Sequence, residues 1–505
     1  MSAIRKLAGQ TVLYGLSSIV GRLLNYLLTP LYTTKEVFSV EQYGVITEMY
    51  SYVAFLVIFL TYGMETSLFR YATKLPDKKK IVIATVLRSI LVTSSVFIVL
   101  CAVFQQSIAE FLKYPDHSEY VLWFAIIVGL DALSAIPMAK LRLEDKPLRF
   151  ALINLGSVLV NIALNLFFLA YCLPKYHAGD SNALIDLVYN PAIGVGYVFI
   201  ANLISSIFKF LLLAPSVAKS FKGFDFSIFK EMMKYALPLL IVGIGFYINE
   251  NFDRIMLKRM LYNTSGEAEA LRQVGIYGAN YKLSIIIILF IQAFRYAADP
   301  FYFNKNKDVD AKDQYAQIMN WFLIVVCSIF LMVTLFIDFI NPIFIRNNAY
   351  WEGLVILPVL LMANIFQGLY YNISFWYKLT DKTHYGSYLA IFGAMITLVL
   401  NYIFIPQYGY VACAWVTFTT YGTMLLISYF LGQKFYKVPY DLKRIFLYIV
   451  TTVLIYFGFD MIKDDLGPWR YTLAFLLLAG FSFGAFTLQR RLDLIGLEKS
   501  KQVGK

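Results

Sequence analysis

Apolar runs of eighteen or more residues recur from one end of this chain to the other. A run of that length is what an α-helix needs to cross a bilayer. Fourteen can be drawn, near 8–29, 44–68, 81–106, 119–139, 150–173, 191–216, 235–257, 274–303, 315–340, 353–377, 385–405, 410–431, 445–462 and 471–488. No stretch between them is long enough for a separate soluble domain. The sequence therefore predicts one all-α, polytopic membrane protein. Composition agrees, since 15% of the 505 residues are charged, against about 25% in soluble domains.

Lys and Arg set the expected orientation. Connections on the side of the N-terminus hold 29 of the 44 Lys and Arg, and those on the opposite side hold 9. That bias predicts both termini in the cytoplasm. The net charge of +12 then follows from topology and calls for no nucleic acid, while loops such as 74–80 and 140–149 meet anionic lipid. The basic start IRKLAGQTVLYGLSSIVG has no small-residue cleavage site, so a retained first span is expected. Cys101, Cys172, Cys327 and Cys413 stand singly, and His117, His177 and His384 are isolated. With no metal-ligand spacing, phosphate-binding glycine loop or nucleophile triad, neither a metal nor another cofactor is expected, and the chain does not read as an enzyme.

An internal repeat organises the spans. EQYGVI (41–46) and FRYA (69–72) frame span two, as RQVGIY (272–277) and FRYA (294–297) frame span eight. YGL (14–16) and YAL (235–237) open spans one and seven, and VNIALNLFFL (160–169) echoes TLVLNYIFIP (397–406). The repeat unit is six spans, and both units start on the same side, which makes them parallel. The expected divisions are 1–216 (first lobe), 217–234 (cytoplasmic interfacial linker), 235–431 (second lobe) and 432–505 (an extra helix pair and basic tail).

TVLYGLSSIVGRLLNYLLTPLYT (11–33), FSVEQYGVI (38–46), FDFSIFKEMMKYALPLL (224–240) and NYIFIPQYGYVACAWVT (401–417) together resemble the polysaccharide transporter family. That family belongs to the multidrug/oligosaccharidyl-lipid/polysaccharide exporter superfamily and includes the O-antigen-type, lipid-linked oligosaccharide flippases. The resemblance covers nearly the whole chain. It implies a monomer in the bacterial inner membrane that moves a polyprenyl-diphosphate-linked oligosaccharide outward by alternating access, beside polysaccharide polymerase machinery. Multidrug/cation antiporters and lipid II flippases of the same superfamily remain as alternatives. A membrane polymerase or ligase is the rival outside transport, but the longest outer connection, 174–190, is catalytically bland.

Charges inside the spans are the candidate site. An unpaired charge at mid-bilayer costs about 2.5–3.5 kcal/mol even on the lenient insertion scale, yet FYINENFDRIMLKRM (246–260) carries Glu250, Asp253 and Arg254. At 100° per residue these share a face with Gly243, Phe246 and Tyr247. Two readings stand: an i, i+4 Glu250–Arg254 pair near an interface, with snorkelling, or a water-filled cavity. Span one presents Thr11, Gly15, Ser18, Arg22, Asn25, Tyr26 and Thr29 on one face, with Arg22 near mid-span. Span eight adds Lys282 on a face with Gly275, Gly278, Tyr296 and Asp299. Arg22, Asn25, Tyr26, Tyr247 and Lys282 are expected to contact an anionic, hydrophilic cargo, Arg through its forked donors and Lys as a point charge. Glu250, Asp131, Asp253 and Glu48 are expected to carry a coupling H⁺ or Na⁺, and Arg254 is either structural or a substrate contact. Asn154, Asn161 and Asn165 form a stripe on span five that reads as interhelical glue.

Overall fold

The computed structural model describes the backbone of residues 3–305 and 310–503; the side chains of 1–14, 495–505 and several between 297 and 309 lie outside the description. No strand occurs among the described residues. Thirteen helical segments are long and apolar enough to span a membrane, and they match predicted spans two to fourteen. Predicted span one falls on helix Ala3–Tyr26, much of whose side-chain detail is not described.

The chain divides into two compact units, Met1–Gly275 and Ile276–Lys505. Unit 1 comprises α1 (Ala3–Tyr26), α2 (Thr29–Tyr32), α3 (Val40–Thr61), α4 (Met64–Lys74), α5 (Lys79–Val103) and α6 (Gln105–Leu112). It continues with α7 (Ser118–Leu143), α8 (Pro147–Asn165), α9 (Leu173–His177), α10 (Ala183–Val188), α11 (Gly196–Ser220) and α12 (Phe226–Ser265), and ends in the first turns of α13 (Glu267–Lys305). Unit 2 holds the remainder of α13, then α14 (Ala311–Leu335), α15 (Ile337–Phe344), α16 (Leu357–Ile373), α17 (Phe375–Leu379), α18 (His384–Tyr408), α19 (Tyr410–Phe435), α20 (Leu442–Ile462) and α21 (Trp469–Val503).

Local chemistry sets the boundaries of the helices that matter most. Ser39 opens α3 with a capping box: its Oγ accepts from the Gln42 N–H at 3.2 Å, and its own N–H donates to Gln42 Oε1 at 3.0 Å. Pro30 has no N–H to donate back to Tyr26, and the helix breaks there between α1 and α2. α3 and α4 form one span broken at Tyr62 (φ 30°) and Gly63 (φ 72°). Only glycine suits the second position, because a Cβ on Gly63 would also meet the Ala236 carbonyl at 2.8 Å.

In unit 1, α8 is stitched to the first span by the asparagine stripe. Asn154 Nδ2 donates to Ser17 O (3.3 Å), Asn161 Nδ2 to Asn25 Oδ1 (3.2 Å), and Tyr32 Oη to Asn165 Oδ1 (2.8 Å). This is the glue expected of span five. Residues 217–234 are bound to the helix ends beside them. Arg88 Nε donates to Phe221 O (3.0 Å), the Asp225 N–H to Thr85 Oγ1 (3.1 Å), and Ser67 Oγ to Met232 O (3.3 Å). Asp225 caps α12, whose 40 residues rise about 60 Å, so the helix joins half of that connection to span seven.

Unit 2 is built around α16, which packs on α19 and α14, with α18 against α19. The C-terminal helices α20 and α21 pack on α14. Polar contacts hold the last helix in place: Ser328 Oγ lies 2.9 Å from Ser482 Oγ, and Trp321 Nε1 donates to Asp493 at 3.0 Å.

Candidate functional site

α1 ends at Tyr26, so Arg22 lies four residues before the distal end of that helix (the end α1 reaches). Arg22 is exposed, and it makes no hydrogen bond or ion pair among the described residues. One turn on, the half-buried Tyr26 lies within electrostatic reach of Arg22, Arg254 and Glu250. Unit 1 therefore gathers the polar faces of spans one and seven around one phenol. Asn25 is exposed on the same stripe and accepts from Asn161. Thr11 and Asp299 lie outside the described side chains.

The polar face of α12 is divided. Arg254 is 5% exposed and Asp253 3%, so neither snorkels. Arg254 Nη1 sits 2.9 Å from Asp253 Oδ1 and donates to the Glu250 carbonyl at 2.7 Å. Asp253 is thus a direct carboxylate partner of Arg254. Tyr247 is buried and donates to the Ser51 carbonyl on α3, whereas Phe246 is exposed and Glu250 half-buried. The open part of this face is the Phe246–Glu250 edge.

Asp131 faces α11: Ser206 Oγ donates to its Oδ1 at 3.3 Å and Lys209 Nζ lies at 3.9 Å. Lys282 belongs to unit 2, where it is half-buried.

Glu48 is fully buried, and its Oε2 lies 2.8 Å from the Nζ of Lys258, itself 1% exposed. The Tyr114 hydroxyl donates to the same oxygen, and Lys258 also donates to Leu112 O at 3.0 Å. Sequence reading assigned Lys258 to an outer connection. Its position four residues after Arg254, on the same helical face, was the available signal.

Beside this pair the helices cross at glycines. A Cβ on Gly44 would stand 2.0 Å from Leu271 O, and one on Gly275 would stand 2.2 Å from Val40 O. Val40 and Gly44 are the repeat counterparts of Leu271 and Gly275. The crossing is therefore self-complementary, with each glycine accepting the carbonyl four residues before its mate.

Comparison with known proteins fits this architecture. A family model described as polysaccharide biosynthesis protein matches residues 7–300. An uncharacterised membrane protein of Methanocaldococcus jannaschii is 24% identical over 200 residues, covering 40% of this chain and 45% of that protein, so the match spans less than half of the relative. Among solved structures, the lipid II flippase MurJ in an inward closed conformation superposes with a TM-score of 0.71 at 16% identity, over 96% of this chain and 100% of that one. A multidrug resistance MATE family transporter, inward-facing, gives 0.60 at 14% identity, over 86% and 98%. The likeness establishes a shared fold, and these neighbours are transporters.

Proposed function

Because the chain belongs to the polysaccharide biosynthesis protein family, we propose that it is a flippase for a polyprenyl-diphosphate-linked oligosaccharide. It works by alternating access in the bacterial inner membrane, from the cytoplasmic to the outer leaflet. The charge bias of the connections supports this direction, with both termini and the 217–234 segment in the cytoplasm and the distal end of unit 1 outside.

The observation that carries the reading is Arg22. An exposed guanidinium, without an ion pair among the described residues, four residues before the end of a membrane helix needs water and an anion. A diphosphate supplies that anion, and the forked donors of Arg match its oxygens. Asn25 and Tyr26 flank it with hydrogen-bonding groups suited to the first sugar, while the prenyl tail stays in lipid. Tyr247 supports this face through α3, and Lys282 adds a cationic position on span eight.

Glu48 and Asp253 are committed to Lys258 and Arg254, so coupling to H⁺ or Na⁺ is assigned to Glu250 and Asp131, which are more open. A drug/cation antiporter is the reading that this site disfavours, since an exposed Arg repels a cationic drug. The deciding experiment is strain complementation: Arg22→Ala, inserted at parental levels, abolishes surface polysaccharide, whereas Arg22→Lys retains part. Parental polysaccharide with Arg22→Ala overturns the proposal.

A further inference from the structure

The two FRYA segments that mark the repeat have no part in the site described above. They carry Arg70 in α4 and Arg295 in α13, on spans that both run toward the cytoplasmic face. The Cζ of Arg70 lies 4.1 Å from the centroid of the Tyr235 ring on α12, and that of Arg295 lies 4.2 Å from the centroid of Tyr371 on α16. Both arginines are exposed, and neither makes a hydrogen bond or ion pair among the described residues. The two rings are not repeat counterparts, since Tyr235 opens span seven and Tyr371 lies in span ten. The same placement is thus reached twice, with unrelated partners.

A guanidinium over a ring is held in place without committing any of its five N–H donors. The neighbouring acids leave those donors open. In unit 1, Glu65 pairs with Arg142, while Glu231, one turn before Tyr235, is exposed and forms no ion pair among the described residues. Lys74 and Lys234 are exposed on the same two helices, so positive charge is in excess. In unit 2, Lys378 reaches the same ring as Arg295, with Nζ 4.8 Å from the Tyr371 centroid. The exposed Asp381 nearby forms no ion pair among the described residues.

Depth points to the kind of anion. Arg70 lies one turn before Lys74, where the membrane-crossing segment of spans two ends. Leu237 and Ile241, just beyond Tyr235 on α12, are exposed apolar residues, so the ring stands where that helix meets hydrocarbon. Lys378 lies at the end of span ten, and its approach to Tyr371 sets Arg295 at the same cytoplasmic edge. The anions at that level are lipid phosphates. A phosphodiester offers the two free oxygens that one guanidinium fork takes.

We propose that Arg70 on Tyr235 and Arg295 on Tyr371 are two built sites, one in each unit, for the phosphate of an anionic phospholipid in the cytoplasmic leaflet. Basic loops attract that leaflet without fixing a lipid; these two arginines fix one apiece. The inference does not depend on the cargo, so it stands or falls apart from the flippase reading.

The test is binding of phosphatidylglycerol to the purified, delipidated full-length chain, followed by native mass spectrometry, with phosphatidylcholine as the neutral comparison. Arg70→Gln and Arg295→Gln are each expected to weaken one phosphatidylglycerol by about tenfold, equivalent to about 1.4 kcal/mol, and the double variant to weaken two. Both side chains are exposed, so thermal stability without added lipid is expected to stay parental. Lys222→Gln removes the same charge from an exposed lysine of the cytoplasmic 217–234 segment and is expected to leave binding unchanged. Equal losses in Lys222→Gln and Arg70→Gln, or undiminished binding in the double variant, overturn the proposal.

The ring is tested with the charge left in place. Tyr235→Phe is expected to bind as the parent does, and Tyr235→Leu to lose as much as Arg70→Gln. Parental binding by Tyr235→Leu overturns the proposal. A parallel titration with polyprenyl diphosphate separates leaflet lipid from cargo. Binding at these arginines tighter than that of phosphatidylglycerol overturns the phospholipid assignment, and weaker binding supports it.

Discussion

Replacing Gly44 or Gly275 by alanine tests the crossing at the distal end with the smallest possible change. A methyl at Gly44 would stand 2.0 Å from the Leu271 carbonyl oxygen, whereas real Cβ atoms essentially never approach within 3.0 Å, so the neighbouring backbones must part by 1.0 Å or more (3.0 less 2.0). Both obstacles are backbone carbonyls and cannot swing away. Overpacking of this kind costs about 1–3 kcal/mol, while alanine in place of a helical glycine returns roughly 0.5–1 kcal/mol. Gly480 and Gly484 in α21 are controls, because a Cβ there meets nothing within 4 Å. Thermal unfolding in detergent, followed by tryptophan fluorescence, should place Gly44→Ala and Gly275→Ala about 1–3 kcal/mol below Gly480→Ala. A second readout is impermeant-maleimide labelling of Ser51→Cys, a buried position (4% exposed) less than one turn beyond Glu48. Labelling should rise when either crossing glycine is replaced. If Gly44→Ala matches Gly480→Ala in stability and leaves Ser51→Cys protected, the crossing is not the close contact argued here.

Asp253→Asn removes a carboxylate partner of the buried Arg254 and should destabilise the protein by about 3–5 kcal/mol in the same unfolding assay; Asp253→Asn with Arg254→Gln should recover most of that loss. Glu250→Gln should arrest transport at unchanged stability if its carboxylate exchanges an ion, and the added Arg254→Gln should not rescue it; a double variant that transports normally would leave coupling to Asp131. For topology, Ser181→Cys should react with an impermeant thiol reagent from outside intact cells and Lys79→Cys should not, and the opposite pattern would reverse the transport direction.

The fold was legible because membrane helices are written in long apolar runs and in the bias of Lys and Arg between connections. The repeat was visible in EQYGVI and RQVGIY, but its meaning was not. Sequence aligns Gly44 with Gly275, and only coordinates reveal that the two aligned segments cross each other. The candidate site was half legible. Arg22 stood out as a charge with no acid at i±3 or i±4, and it is exposed. The i, i+4 spacing pairs Arg254 with Glu250 on paper, and the structure adds its adjacent residue, Asp253, as a carboxylate partner at 2.9 Å. Lys258 was missed because hydropathy ends the span near Leu257, whereas the helix continues to Ser265. The partner of Lys258, Glu48, is 210 residues away in sequence (258 less 48), and no local spacing rule reaches that far. The partner of Asp131, Lys209, was hidden for the same reason.

The most direct test of the account is flipping in defined vesicles. Purified protein is reconstituted with a fluorescent polyprenyl-diphosphate-linked oligosaccharide, and the fraction reaching the outer leaflet is read by an impermeant sugar-modifying reagent. The account predicts protein-dependent flipping that Arg22→Ala abolishes, that free pyrophosphate inhibits, and that cationic drugs leave unaffected. Export of a cationic drug with no movement of the lipid-linked sugar, unaltered by Arg22→Ala, would contradict it.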